Sequence, residues 1–132
     1  MRTSLVVFLL AVSPSLPAAN FVVNVGGATL DFRPKVLNIH AGDTVTWINR
    51  GGTHNVEADD GSFLCARGCT GDGKGGSGTP SGLNWSFSRT FSQPGVTIGY
   101  FCELHGAPGM DMYGTIIVAA GTPVRLLSFD VD

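Results

Sequence analysis

The chain has 132 residues, ten acidic against eight Lys and Arg side chains, and a formal net charge of −2. That length suits a single domain with a real core. So small a charge gives no footing for binding nucleic acid or an anionic membrane surface.

The N-terminal residues read as an export signal. Arg2 supplies the positive start, residues 5–12 are an apolar run, and residues 13–19 are small or helix-breaking. This is the pattern of a secretory signal peptide, with cleavage near Ala18 or Ala19. The apolar run is well short of the ~20 residues of a membrane-spanning helix. No Cys follows it directly, so lipid attachment is not expected. The division predicted is residues 1–19 as leader, 20–120 as the domain and 121–132 as a tail. The location predicted is periplasmic or secreted.

Strand signals dominate the chain beyond the leader. Residues 21–25 alternate apolar and polar, and residues 29–32 are placed to pair with them. Val36, Leu37 and Ile39 lead to the turn Ala41–Gly42–Asp43. Residues 44–49 form a β-rich run carrying Trp47. Residues 85–91 alternate again, with Trp85, Phe87 and Phe91 sharing a face, until Gln93–Pro94–Gly95 turns the chain. Residues 96–102 and 114–118 complete the set, and residues 123–131 resemble one more strand. Short strands punctuated by Gly, Pro and Asp, with no amphipathic helical stretch, predict an all-β sandwich.

Seven of the fifteen residues from 68 to 82 are Gly, which predicts a long surface loop. Gly68, Gly73 and Lys74 match the front of a phosphate-binding loop, but Gly75 stands where Ser or Thr is required and no strand–helix frame surrounds it. Asp59, Asp60 and Asp72 are too few oxygens for calcium. Cys65 and Cys69 are four apart and can close a small disulfide in an oxidising compartment. They lack the further ligands of a closed zinc site. Cys102 is then the odd thiol of three, and a bound metal would hold it as thiolate.

Residues 100–114 carry the chemistry. Cys102 and His105 lie on one Gly- and Pro-rich turn at Cys-x₂-His spacing, Met110 and Met112 follow, and His54 stands after the Trp47 strand. His₂Cys with a weak axial Met is the ligand set of a blue-copper site. A Cys–His pair two residues apart on a tight loop points at a common centre, which disfavours nucleophilic catalysis. His40 has no partner and reads as a surface residue.

The stretch 100–114, together with Gly42–Asp43–Thr44–Val45–Thr46–Trp47 and His54–Asn55–Val56, resembles the cupredoxins, the plastocyanin-like proteins, over residues 21–118. The resemblance implies a Greek-key β-sandwich of about seven to eight strands holding one copper ion that alternates between Cu(I) and Cu(II). It implies His54, Cys102 and His105 as ligands and Asn55 as a brace of the ligand loop. The ligand loop is two residues longer than plastocyanin's, so two Met compete for the axial position. Spacing from His105 favours Met110, whereas the Met-x-Gly pattern at Met112–Tyr113–Gly114 favours Met112. Met112 is preferred because the strand fixes its position.

The function expected is single-electron transfer by an exported monomer with no catalytic residues. Redox proteins would dock near His105, on a small apolar rim of Gly106, Ala107, Pro108 and Gly109. Copper delivery without electron shuttling is the alternative. Neither nucleic-acid binding nor stable membrane insertion is expected.

Overall fold

The computed structural model of the chain describes residues 5–10 and 16–121. Within them lie ten strands and no helix: β1 (Asn20–Gly26), β2 (Phe32–Arg33), β3 (Val36–Ile39), β4 (Asp43–Gly51), β5 (Val56–Ala58), β6 (Leu64–Ala66), β7 (Gly68–Cys69), β8 (Ser86–Phe91), β9 (Thr97–Ala107) and β10 (Met110–Val118). They build two mixed sheets, β2-β1-β4-β8 and β3-β10-β9-β5-β6-β7, packed as a Greek-key sandwich. The pairs β1–β4 and β3–β10 are parallel and the remainder antiparallel.

Alternation decides which side chains face the core, because successive strand residues point to opposite faces. In β4 the inward row is Asp43, Val45, Trp47 and Asn49. In β9 it includes Tyr100 and Cys102, and in β10 Met112, Gly114, Ile116 and Val118. Trp47 sits at the centre. Its ring stacks on Phe87 at 4.7 Å and meets Tyr100 edge-on at 5.4 Å, while Phe63 and Phe91 close the remaining sides. Truncating so large a buried aromatic would cost about 3–5 kcal/mol. This aromatic layer ties the two sheets together beneath the end of the sandwich that carries Cys102.

Two polar residues bracket the apolar row of β4. Asp43 begins the strand and Asn49 comes near its end, and both are buried. Buried polar groups need partners, and each of these has them. Asp43 accepts backbone N–H groups from Ala19 and His40. Asn49 works on the loop that carries His54.

Predicted strands and observed ones differ where a strand is too short for a periodic signal. The expected strand at 29–32 is the two-residue β2, which does pair with β1, through Asn24–Arg33 and Val25–Phe32. Gly26 and Gly27, both at positive φ, hold the turn before it. The expected loop 68–82 begins with β7, and β5, β6 and β7 extend the larger sheet beyond the strands predicted. β9 runs on to Ala107 and β10 begins at Met110, so the ligand segment is itself part of a hairpin. The eight longer strands agree with the expected number; β2 and β7 raise the count to ten. The predicted strand at 123–131 lies outside the described residues. Residues 5–10, within the expected leader, have no regular structure and expose their apolar side chains. No helix among the described residues is long and apolar enough to cross a membrane.

Candidate metal centre

Two segments deliver the three donor atoms, the loop after β4 and the strand β9. His54 follows β4, held by a bridge to Ser81 in which its N–H donates to the Ser81 carbonyl at 3.2 Å and its carbonyl accepts from Ser81 N–H at 3.0 Å. Asn49 shapes the turn before it: its side-chain amide points at the carbonyls of Gly52, Ser81 and Leu83 at 3.0, 3.4 and 3.2 Å. Cys102 is the inward residue of β9 beyond Tyr100, and His105 lies three residues on, half-exposed. Cys102 and His54 are buried.

The three donor atoms form a tight triangle. Cys102 Sγ lies 3.8 Å from His54 Nδ1 and 3.7 Å from His105 Nδ1, and the two Nδ1 atoms are 3.2 Å apart. The point equidistant from all three is about 2.1 Å from each, within the range of transition-metal bonds to imidazole and thiolate. Two imidazole nitrogens and a thiol aimed at one buried point are a poor hydrogen-bonding arrangement and a good trigonal ligand set. Burial, and then the neighbouring His105, push the His54 imidazole below its ordinary range, while the Gly51 carbonyl works the other way. The neutral imidazole that results is the form that binds a metal. The residues therefore fit copper.

Gly26 and Gly52 explain how the His54 ring is held. A Cβ at either position would run into Nε2, the nitrogen on the far side of the ring from the donor triangle. Both glycines have positive φ, at +63° and +83°. The ring is thus wedged from behind by bare backbone. Nothing in the glycine pattern of the sequence distinguishes these two from the others, and they were not anticipated. Asn49 was not anticipated either; its place after an alternating run was the available signal.

Asn55 is fully buried and makes three hydrogen bonds. Its Nδ2 donates to the Gly78 carbonyl and to Glu103 Oε2, both at 2.9 Å, and its Oδ1 accepts the Glu103 N–H at 3.0 Å. It joins the segment after His54 to the residue after Cys102, and both to the Gly-rich loop. Its partner on the ligand strand is Glu103, the residue next to Cys102. Cys65 and Cys69 are disulfide-bonded and Cys102 is free. The disulfide closes the β6–β7 turn, after which the Thr70 hydroxyl accepts the Gly78 N–H at 2.8 Å.

The two methionines separate clearly. Between the β9–β10 pairs Gly106–Asp111 and Phe101–Tyr113, residues 102–105 stand opposite Met112 alone. Met112 is 1% exposed in that bulge, whereas Met110 is 62% exposed near the hairpin tip, opposite Ala107. Gly114 fixes the register, since a Cβ there would strike the Tyr100 ring that lies across from it. The glycine of Met112–Tyr113–Gly114 thus makes room for the aromatic residue two places before Cys102. His40 lies apart from the triangle, exposed and 3.9 Å from Asp43.

A sandwich that closes two imidazoles, a buried thiol and a buried thioether at one end has the design of a mononuclear copper protein. The chain belongs to the copper binding proteins of the plastocyanin/azurin family, whose model matches residues 19–119. It is 34% identical over 112 residues to the chloroplastic plastocyanin of Tetradesmus obliquus, covering 84% of this chain and 72% of that protein. It is 37% identical over 90 residues to the plastocyanin of Scenedesmus fuscus, covering 67% and 87%. Among solved structures, an oxidised amicyanin variant superposes with a TM-score of 0.52 at 28% identity, over 74% of this chain and 80% of that one. A pseudoazurin from Sinorhizobium gives 0.50 at 28% identity, over 80% and 76%. The cofactor is copper.

Proposed function

We propose that the protein is an exported, monomeric, mononuclear blue-copper electron carrier that passes single electrons between redox proteins. His54, Cys102, His105 and Met112 would hold the copper, within a domain spanning residues 20–120. Copper bound there supplies a one-electron Cu(II)/Cu(I) couple. The observation that carries the reading is the donor triangle, with two of its members buried and the third half-exposed.

The chain's own residues do the rest. Imidazole and thiolate suit both oxidation states, so the donor set need not change when an electron moves. The paired neighbours Phe101 and Tyr113 anchor Cys102 and Met112, the glycine wedge and the Ser81 bridge hold His54, and Asn55 locks Glu103 beside Cys102. A site held this firmly keeps one geometry in both states, which favours rapid exchange. Burial of Cys102 and His54 keeps water away from the thiolate. His105 is half-exposed, and Pro108, Gly109 and Met110 at the hairpin tip beyond it are exposed and apolar, with the exposed carboxylates Glu103 and Asp111 on the same hairpin. Such a small, mainly apolar tip suits brief encounters with small interfaces and quick release.

Voltammetry of the copper-loaded protein tests the proposal. A reversible one-electron wave is expected, with copper retained against a chelator in both oxidation states. An irreversible wave with rapid loss of copper to the chelator would favour delivery over electron transfer and overturn the reading.

A further inference from the structure

The first residue held by the sandwich meets a buried carboxylate. Asp43 opens β4 and is 3% exposed. Its Oδ1 accepts the Ala19 N–H at 2.8 Å and its Oδ2 accepts the His40 N–H at 2.8 Å. These bonds, that from Ala19 foremost, hold the carboxyl below its ordinary range against the effect of burial. Its nearest cationic group is the His40 imidazole, whose Nδ1 stands 3.9 Å from Oδ2 on a mostly exposed side chain. Among the described residues no Lys or Arg pairs with it. The hydrogen bonds to this buried carboxylate thus come from neutral backbone donors, with no charge beside it but that of the largely exposed His40 ring when protonated, although burying a charge favours a charged partner.

Ala19 is where the chain changes character. Its carbonyl accepts the Thr44 N–H at 2.9 Å, and the next residue, Asn20, opens β1 in register with Thr44. Immediately upstream, residues 16–18 run exposed and without regular structure, and the side chains of residues 5–10 lie open to solvent. The amide nitrogen of Ala19 therefore sits at the boundary between leader and sandwich, aimed at Asp43.

We propose that the chain is hydrolysed between Ala18 and Ala19 during export, and that the new Ala19 ammonium becomes the ion-pair partner of Asp43. Water adds across the amide: Ala18 departs as the carboxylate end of the leader, and the Ala19 nitrogen takes up protons to become the α-ammonium. The catalyst is a peptidase of the leader-cleaving class, which needs a small residue before the scissile bond, as Ala18 provides. The inference rests on the export reading under Proposed function and selects one bond. Cleavage after Ala19 would discard the nitrogen that Asp43 holds. Cleavage further upstream would leave an uncharged amide there. The carboxylate already makes its bond to the Ala19 N–H charge-assisted, and an ammonium would put a full opposite charge on the donor as well. Processing would therefore stabilise the fold it releases.

N-terminal sequencing and intact mass of the protein recovered from outside the cytoplasm should give Ala19 as the first residue. Purified protein beginning at Ala19 should unfold at a higher urea midpoint than the same chain with Ala18 retained or with Ala19 acetylated. That gap should close in Asp43→Asn. Acetylation leaves Asp43 intact, so the comparison holds even if Asp43→Asn folds poorly. An exported protein beginning at any other residue overturns this inference while leaving export standing. A chain that is never exported overturns both. Equal midpoints for free and acetylated Ala19, or a gap unchanged in Asp43→Asn, overturn the ion pair.

Discussion

Replacing Asn55 with Ala removes three hydrogen bonds at once from a fully buried position. The Glu103 carboxylate is exposed and can turn to water, but the buried Gly78 carbonyl and the Glu103 N–H behind the site lose their partner. Each stranded group costs roughly 1–3 kcal/mol. With a small cavity added, the loss should be about 3–4 kcal/mol, a large share of the 5–15 kcal/mol typical of a domain. Urea unfolding of the metal-free protein with its disulfide intact measures it as a fall in midpoint at unchanged slope. Asn55→Asp separates the parts. It keeps the acceptor for Glu103 N–H but loses both donations and sets a carboxylate against Glu103 Oε2, so Glu103→Gln in that background should recover stability. Because Glu103 follows Cys102 directly, both single variants should also broaden the copper spectrum. A loss below about 1 kcal/mol, the size of an ordinary surface substitution, would refute the assignment of Asn55 as the brace.

Other consequences can be measured alongside. Met112→Leu should raise the reduction potential, because removing a donor disfavours the oxidised state, whereas Met110→Leu should leave it nearly unchanged; voltammetry distinguishes them, and the reverse order would place Met110 at the axial position. Gly26→Ala should displace the His54 ring and weaken copper retention in a competition with chelator, since its Cβ collides with Nε2 and the Gly51 carbonyl. Gly109→Ala, at φ +68° in open space, should cost only the backbone strain of about 1 kcal/mol and leave the spectrum intact. In exported protein, alkylation with mass spectrometry should find Cys65 and Cys69 joined, with Cys102 reacting only after copper is removed.

The sandwich and the three-donor centre were legible because their signals are local and chemical. Alternation around Trp47 and Phe87 marked core strands, and Cys102, His105 and His54 are residue types with few other uses at that spacing. The odd cysteine count separated Cys102 from Cys65 and Cys69, as the disulfide bears out. What escaped depends on contacts between distant segments. The strands β2, β5, β6 and β7 have two or three residues each, too few to show a period. The choice of Met112 was legible in the Met-x-Gly pattern, but its cause was not: register against β9, set by the fit of Tyr100 over Gly114. The wedge behind His54 uses two glycines drawn from strands and turns far apart in sequence, and Asn49 acts on carbonyls up to 34 residues away. Spacing along the chain carries none of this.

The central claim is that Cys102 binds copper as a thiolate with His54 and His105. Visible absorption on adding one equivalent of Cu(II) to the metal-free protein, beside Cys102→Ser and His40→Ala, tests it most directly. The account predicts an intense blue charge-transfer band in the parent protein and in His40→Ala that bleaches on reduction, returns on oxidation, and is absent from Cys102→Ser. A parent protein that takes up copper with only weak colour, or a Cys102→Ser variant that stays intensely blue, would contradict it.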